Sequence, residues 1–189
     1  MGYTTWFNGS LTFNKEITEE LKTFINNFSS IRHMKRDNDK IKECFPNWKN
    51  LCYKGNLGTN GEYFIGGTGF MGQDKDTSIL DYNCPSRNQP ELWCQWIIND
   101  EGELEWDGGE KFYEYEAWLF YLIDNFFAPE GYILNGTINF EGEDPEDFGE
   151  IIVENNEILI NYGIRAMSLS EINDTDLINE LRSRGYKVS

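Results

Sequence analysis

Phe7-Asn8-Gly9-Ser10-Leu11-Thr12-Phe13 recurs late in the chain as Leu134-Asn135-Gly136-Thr137-Ile138-Asn139-Phe140, matching at apolar, Asn-Gly and hydroxyl positions. Two equivalent strands explain such an echo. It fits an antiparallel sheet in which similar strands take related places and both main helices cover one face. The expected fold class is therefore α+β, a mainly antiparallel sheet with two principal helices on one face, plus a short C-terminal helix. Within the first copy, Thr4 to Phe13 reads as a strand or as a hairpin hinged at Asn8-Gly9, because Asn-Gly favours tight turns.

Working outward, Thr18 is placed to cap a helix, with Glu19 and Glu20 in its first turn, and Leu21, Phe24, Ile25 and Phe28 recur at helical spacing. A second helix is expected from near Lys111 to a stop before Pro129, with rings nearly all round, as for an element covered on more than one side. Leu92–Ile98 and Glu103–Trp106 read as a hairpin, and Gly149–Ile160 as another turning at Asn155-Asn156. Glu62–Ile65 and Ile79–Tyr82 are shorter strand candidates. Ser29–Lys54 is irregular and basic, and reads as loop with a short helical turn. Asn173, Asp174 and Asp176 ahead of Leu177 and Leu181, then Arg182, Arg184 and Gly185, describe a small final helix. The expected organisation is one domain over 1–162, then linker and helix over 163–189.

The chain of 189 residues suits one domain, and 39% hydrophobic residues with 15% aromatics exclude a disordered chain and predict a ring-rich core. Met1-Gly2-Tyr3-Thr4-Thr5 is unlike a signal peptide and no stretch is long enough to span a bilayer, so the expectation is cytoplasmic. Cys44, Cys52, Cys84 and Cys94 form no C-x-x-C pair, and His33 is the only histidine, so reduced thiols are expected and neither a metal nor a cofactor.

Charge is the most informative feature. The net charge is −17, and it is unevenly spread. Residues 1–60 carry nine Lys or Arg against six Asp or Glu, whereas residues 91–157 carry nineteen acids against Lys111 alone. Direct binding to nucleic acid or an anionic membrane is disfavoured, and a basic protein partner is favoured, with salt-sensitive affinity. Glu101, Glu103, Glu105, Asp107 and Glu110 are the expected anionic contacts, with Trp106 and Tyr113 as aromatic anchors. A face of carboxylates that merely solvates the protein is the plainer alternative.

Catalytic signals are weak. His33 sits among Arg32, Lys35 and Arg36 and reads as part of a solvated basic loop. The glycine-rich run Gly66–Gly72 lacks both the Gly-Lys-Ser/Thr ending of a phosphate loop and the dinucleotide spacing. The run Glu141–Asp147 offers hard oxygen ligands without EF-hand spacing, and reads as an acidic hairpin loop. Glu105, Asp107 and Glu110 beside Trp106 leave open a carboxylate-based, glycoside-type hydrolase.

The stretches Glu62-Tyr63-Phe64-Ile65-Gly66-Gly67, Leu92-Trp93-Cys94-Gln95-Trp96 and Trp106-Asp107-Gly108-Gly109-Glu110-Lys111-Phe112-Tyr113 resemble a family of small, uncharacterised, acidic bacterial and phage-associated proteins. The resemblance covers roughly Tyr3 to Ile160, with a short helical appendage after it, and implies no cofactor or catalytic residue. With the charge, the expectation is a non-enzymatic binding protein acting on a basic surface of a partner. Its most concrete form is a phage-type inhibitor of a nucleic-acid-handling defence complex, anti-CRISPR-like. A hydrolase and an immunity-type structural partner are the alternatives.

Overall fold

The computed structural model describes residues 2–163, together with Ile178, which is helical; the rest of the helix expected near 173–184 lies outside the described residues. In chain order the elements are β1 (Thr5–Phe13), α1 (Glu19–Ser29), β2 (Lys35–Arg36), α2 (Asn38–Cys44), β3 (Ile79–Asp81), β4 (Trp96–Ile98) and β5 (Leu104–Trp106), then α3 (Tyr115–Leu122), β6 (Leu134–Gly142), β7 (Phe148–Glu154) and β8 (Glu157–Tyr162). Six strands make one antiparallel sheet in the order β4-β5-β1-β6-β7-β8, and β2 pairs with β3 apart from it. This is the α+β class expected.

The two echoing segments are the central neighbours of that sheet. Phe7 lies opposite Phe140, Phe13 opposite Leu134, and Ser10 faces Thr137 at the midpoint, so a local two-fold relates one strand to the other. β1 runs unbroken for nine residues, which corrects the hinge expected at Asn8-Gly9. Gly9 serves close strand approach instead: it holds a φ of +117°, and a Cβ there would stand 2.6 Å from the Thr137 carbonyl oxygen.

Helix α1 forms as its spacing predicts. The Thr18 hydroxyl accepts the Leu21 N–H, and Leu21, Phe24, Ile25 and Phe28 are buried. α3 begins four residues after Lys111, because Lys111 and Glu114 both adopt positive φ and delay the helix. After Leu122 the chain widens into a π-type turn over Ile123–Phe127 before a 3-10 turn at Pro129. Both helices cover one face of the sheet, and their rings share a core with Phe7, Leu11, Leu104, Leu134, Ile138 and Ile151. Phe7 alone meets Trp96, Trp106, Phe112 and Tyr115 edge-on at 4.8–5.9 Å.

The segment read as basic loop is more ordered than expected. β2, α2 and a 3-10 turn at Trp48–Leu51 surround a second small core of Ile41, Cys52, Leu57 and Phe64. Glu62–Ile65 is no strand; Phe64 forms a single bridge with Cys52. β4 is confined to Trp96–Ile98, shorter than expected, whereas the β4–β5 and β7–β8 hairpins match their predicted pairings. Among the described residues no helix is long and apolar enough to cross a membrane.

Candidate recognition face

Because side chains alternate along a strand, covering one face of the sheet leaves every second residue on the other. The buried positions Phe7, Leu11, Leu104, Leu134, Ile138, Phe140, Ile151 and Val153 point toward the helices. The opposite face carries Trp6, Asn8, Ser10 and Thr12 from β1, Glu105 from β5, and Asn135, Thr137, Asn139 and Glu141 from β6. It continues through Phe148, Glu150, Ile152 and Glu154 of β7 to Glu157, Leu159 and Asn161 of β8. Every charged side chain at these outward strand positions is a glutamate. The register sets them in rows: Trp6, Glu141 and Phe148 are direct neighbours, as are Asn8, Asn139, Glu150 and Asn161. Glu154 stands directly opposite Glu157, a like-charge pairing that costs stability unless a cation arrives.

Sequence-adjacent candidates part company here. Glu105 belongs to the open face and accepts an Asn99 side-chain N–H at 2.9 Å; Glu103, just before β5, accepts the Ser10 hydroxyl at 2.5 Å. Trp106 turns the other way. It packs on Phe7 and donates its indole N–H to Gln95 Oε1 at 3.1 Å, so it shares no face with Glu105. The sugar platform imagined from Glu105 beside Trp106 is therefore split between two sides of the strand. Asp107 and Glu110 lie in the turn after β5, where Asp107 accepts the Gly109 N–H and Gln95 donates to the Glu110 carbonyl. Desolvation raises the Asp107 carboxyl above its ordinary value, with the Gly109 N–H opposing. Glu101 is exposed in the β4–β5 turn. Tyr113 is also exposed, and its hydroxyl accepts the Tyr3 N–H.

Tyr3 organises the loop after β6. Its hydroxyl donates to Asp147 at 2.7 Å and accepts the Asp144 N–H, while Glu143 accepts the Thr4 N–H at 2.8 Å. These carboxylates are thus committed to the loop's own conformation.

A polar cluster lies inside the molecule, unheralded by the sequence. His33 is only 3% exposed, packed at a tilt against the rings of Phe28 and Trp118, with its Nδ1 against the Gln89 side-chain amide at 3.0 Å. Burial drives its pKa down to about 3, outweighing the Phe28 carbonyl. This corrects the solvated-loop reading. Gln89 also donates to the Glu62 carbonyl, and the buried Glu62 carboxylate accepts Tyr121 O–H and Thr59 N–H. Arg36, likewise 3% exposed, donates to Asp76 at 2.7 Å and Ser78 at 2.6 Å. Burial alone would raise the Asp76 carboxyl, but the Arg36 and Ser78 hydrogen bonds hold it below its usual range. Arg32 lies over the Tyr82 ring. The basic run is spent on pinning 70–93 to the helices.

A groove of about 790 Å³ lies beside α1 and is lined by Lys15, Lys49, Lys54, Tyr53, Glu130 and Tyr132 among others. Its cations are partly engaged: Lys54 pairs with Glu130, and Lys15 donates to the Glu130 carbonyl across the Tyr132 ring. Among the described residues no group of three or more His, Cys, Asp or Glu is arranged to hold a metal ion.

Comparison of the chain with family models, with curated proteins and with solved structures finds no match. The family resemblance rests on the quoted stretches alone.

Proposed function

We propose that this chain is a non-enzymatic, cytoplasmic binding protein that lays the open face of its sheet on a basic surface of a protein partner. One observation carries this reading: six strands present a continuous face whose strand-borne charges are all glutamate, interspersed with apolar groups. Simple solvation accounts for the carboxylates but not for Trp6 at 50% exposure or Leu159 at 58%. Exposed rings and aliphatics among polar groups are the composition of binding surfaces. The opposed Glu154 and Glu157 add an electrostatic strain that a cationic partner relieves. A basic cleft that ordinarily holds nucleic acid matches such a face, and an inhibitor of a nucleic-acid-handling defence complex is the most concrete form.

The test is binding to a purified basic nuclease at rising ionic strength, with nucleic acid as competitor. Affinity should fall with salt, nucleic acid should displace the protein, and Glu150→Lys with Glu154→Lys should weaken binding at least about tenfold. Binding indifferent to salt and to both reversals would remove the reading.

A further inference from the structure

The row Trp6, Glu141, Phe148 encloses a groove of about 420 Å³ on the open face, floored toward Asn8 and Asn139. Trp6 and Phe148 flank Glu141 on neighbouring strands, so their backbones stand about 10 Å apart, two strand spacings. The Phe148 ring lies across the end of β8, where a Cβ at Gly163 would overlap it. Gly163 thus lets the ring lie aside.

Among the described residues the Glu141 carboxylate is uncommitted, as are those of Glu150, Glu154 and Glu157, but of these it alone lies between two aromatic side chains in the register. Glu103, Glu105, Glu143 and Asp147 each accept a hydrogen bond within the protein. Among the described hydrogen bonds and ion pairs, none engages the Glu141 side chain. An uncommitted carboxylate between two aromatic side chains, with two amide side chains alongside, has the chemistry of a cation receptor.

We propose that this groove receives one arginine side chain of the basic partner, its guanidinium over the Glu141 carboxylate and against the rings of Trp6 and Phe148. Arginine suits it better than lysine. The guanidinium is planar and weakly hydrated, stacks on aromatic faces, and meets a carboxylate with two parallel N–H bonds. Asn8 and Asn139 side-chain oxygens can accept its remaining N–H groups. The inference rests on the acidic-face reading and names the anchor within it.

The experiment titrates the full-length protein with an arginine-glycine repeat peptide and with its lysine counterpart, following the Trp6 indole N–H signal by NMR. The arginine peptide should bind more tightly and shift that signal. Glu141→Gln should weaken it about tenfold, as for loss of a charged hydrogen-bond acceptor, and Trp6→Leu about two- to fivefold. Asp124→Asn, an exposed acid in the turn after α3 and off the sheet face, should change it less than about twofold. Equal effects of Glu141→Gln and Asp124→Asn, with binding still lost on Glu150→Lys and Glu154→Lys, would overturn the arginine groove and leave the acidic face standing. Binding that survives those reversals as well would overturn both. Tighter peptide binding after Arg182→Gln with Arg184→Gln would assign the groove to the chain's own tail and overturn its assignment to a partner.

Discussion

Gly9 and Gly136 occupy equivalent places on paired strands: a Cβ on Gly9 would stand 2.6 Å from the Thr137 carbonyl oxygen, and one on Gly136 would stand 2.7 Å from that of Ser10. Each glycine has a positive φ, +117° and +144°. The echo in the sequence is thus the signature of one local two-fold at the centre of the sheet.

Substituting either glycine with alanine should cost about 1–3 kcal/mol from backbone conformation alone, with more from the collision with the facing strand. Urea unfolding of Gly9→Ala and Gly136→Ala measures it. Similar losses are expected, because the two sites are related by the same symmetry.

His33 should make stability acid-sensitive. In the unfolded chain its imidazole takes up a proton near pH 6.5, whereas in the folded protein it stays neutral down to about 3. Between those values the unfolded state binds more protons, so this contribution is complete above about 6.5 and declines as pH falls, by about 1.4 kcal/mol per unit. His33→Gln keeps a polar side chain and removes the titration. The stability advantage of the wild type over that variant should shrink with acidity, as measured by denaturant unfolding across this range.

Arg36 is buried and Asp76 half-buried, so the pair should behave as a partly desolvated one. Arg36→Gln removes the charge partner of Asp76 and should cost about 1–3 kcal/mol, whereas joint replacement of Arg36→Met and Asp76→Leu should recover much of that loss. Thermal unfolding of the single and double variants compares them.

Thiol reactivity should fall into two classes. Cys44 and Cys84 are exposed, whereas Cys52 and Cys94 are buried, and burial pushes the Cys94 thiol up to about 12. A disulfide-exchange reagent should label two thiols quickly in native protein and the other two only on unfolding.

Much of the framework was legible because it is written locally. The α1 stripe, its Thr18 cap and the turn at Asn155-Asn156 each depend on residues a few positions apart. The excursion between α1 and β4 was not, since its order comes from polar pairs distant in sequence, Arg36 with Asp76 and His33 with Gln89. The same Asn-Gly that marks a turn elsewhere serves close strand approach in β1, and only the partner strand distinguishes the two uses. The acidic run 101–110 looked like one surface, yet pleating sends Glu105 and Trp106 to opposite sides. Conversely, Trp6, Glu141 and Phe148 are neighbours only once the register of three strands is known.

The strict division of these strands into a side that faces the helices and a side that does not has an evolutionary meaning. Every second residue can be rewritten with little disturbance to the interior that holds the chain together. Variation confined to that one alternate set would let related chains follow a changing target while the scaffold beneath them stays the same.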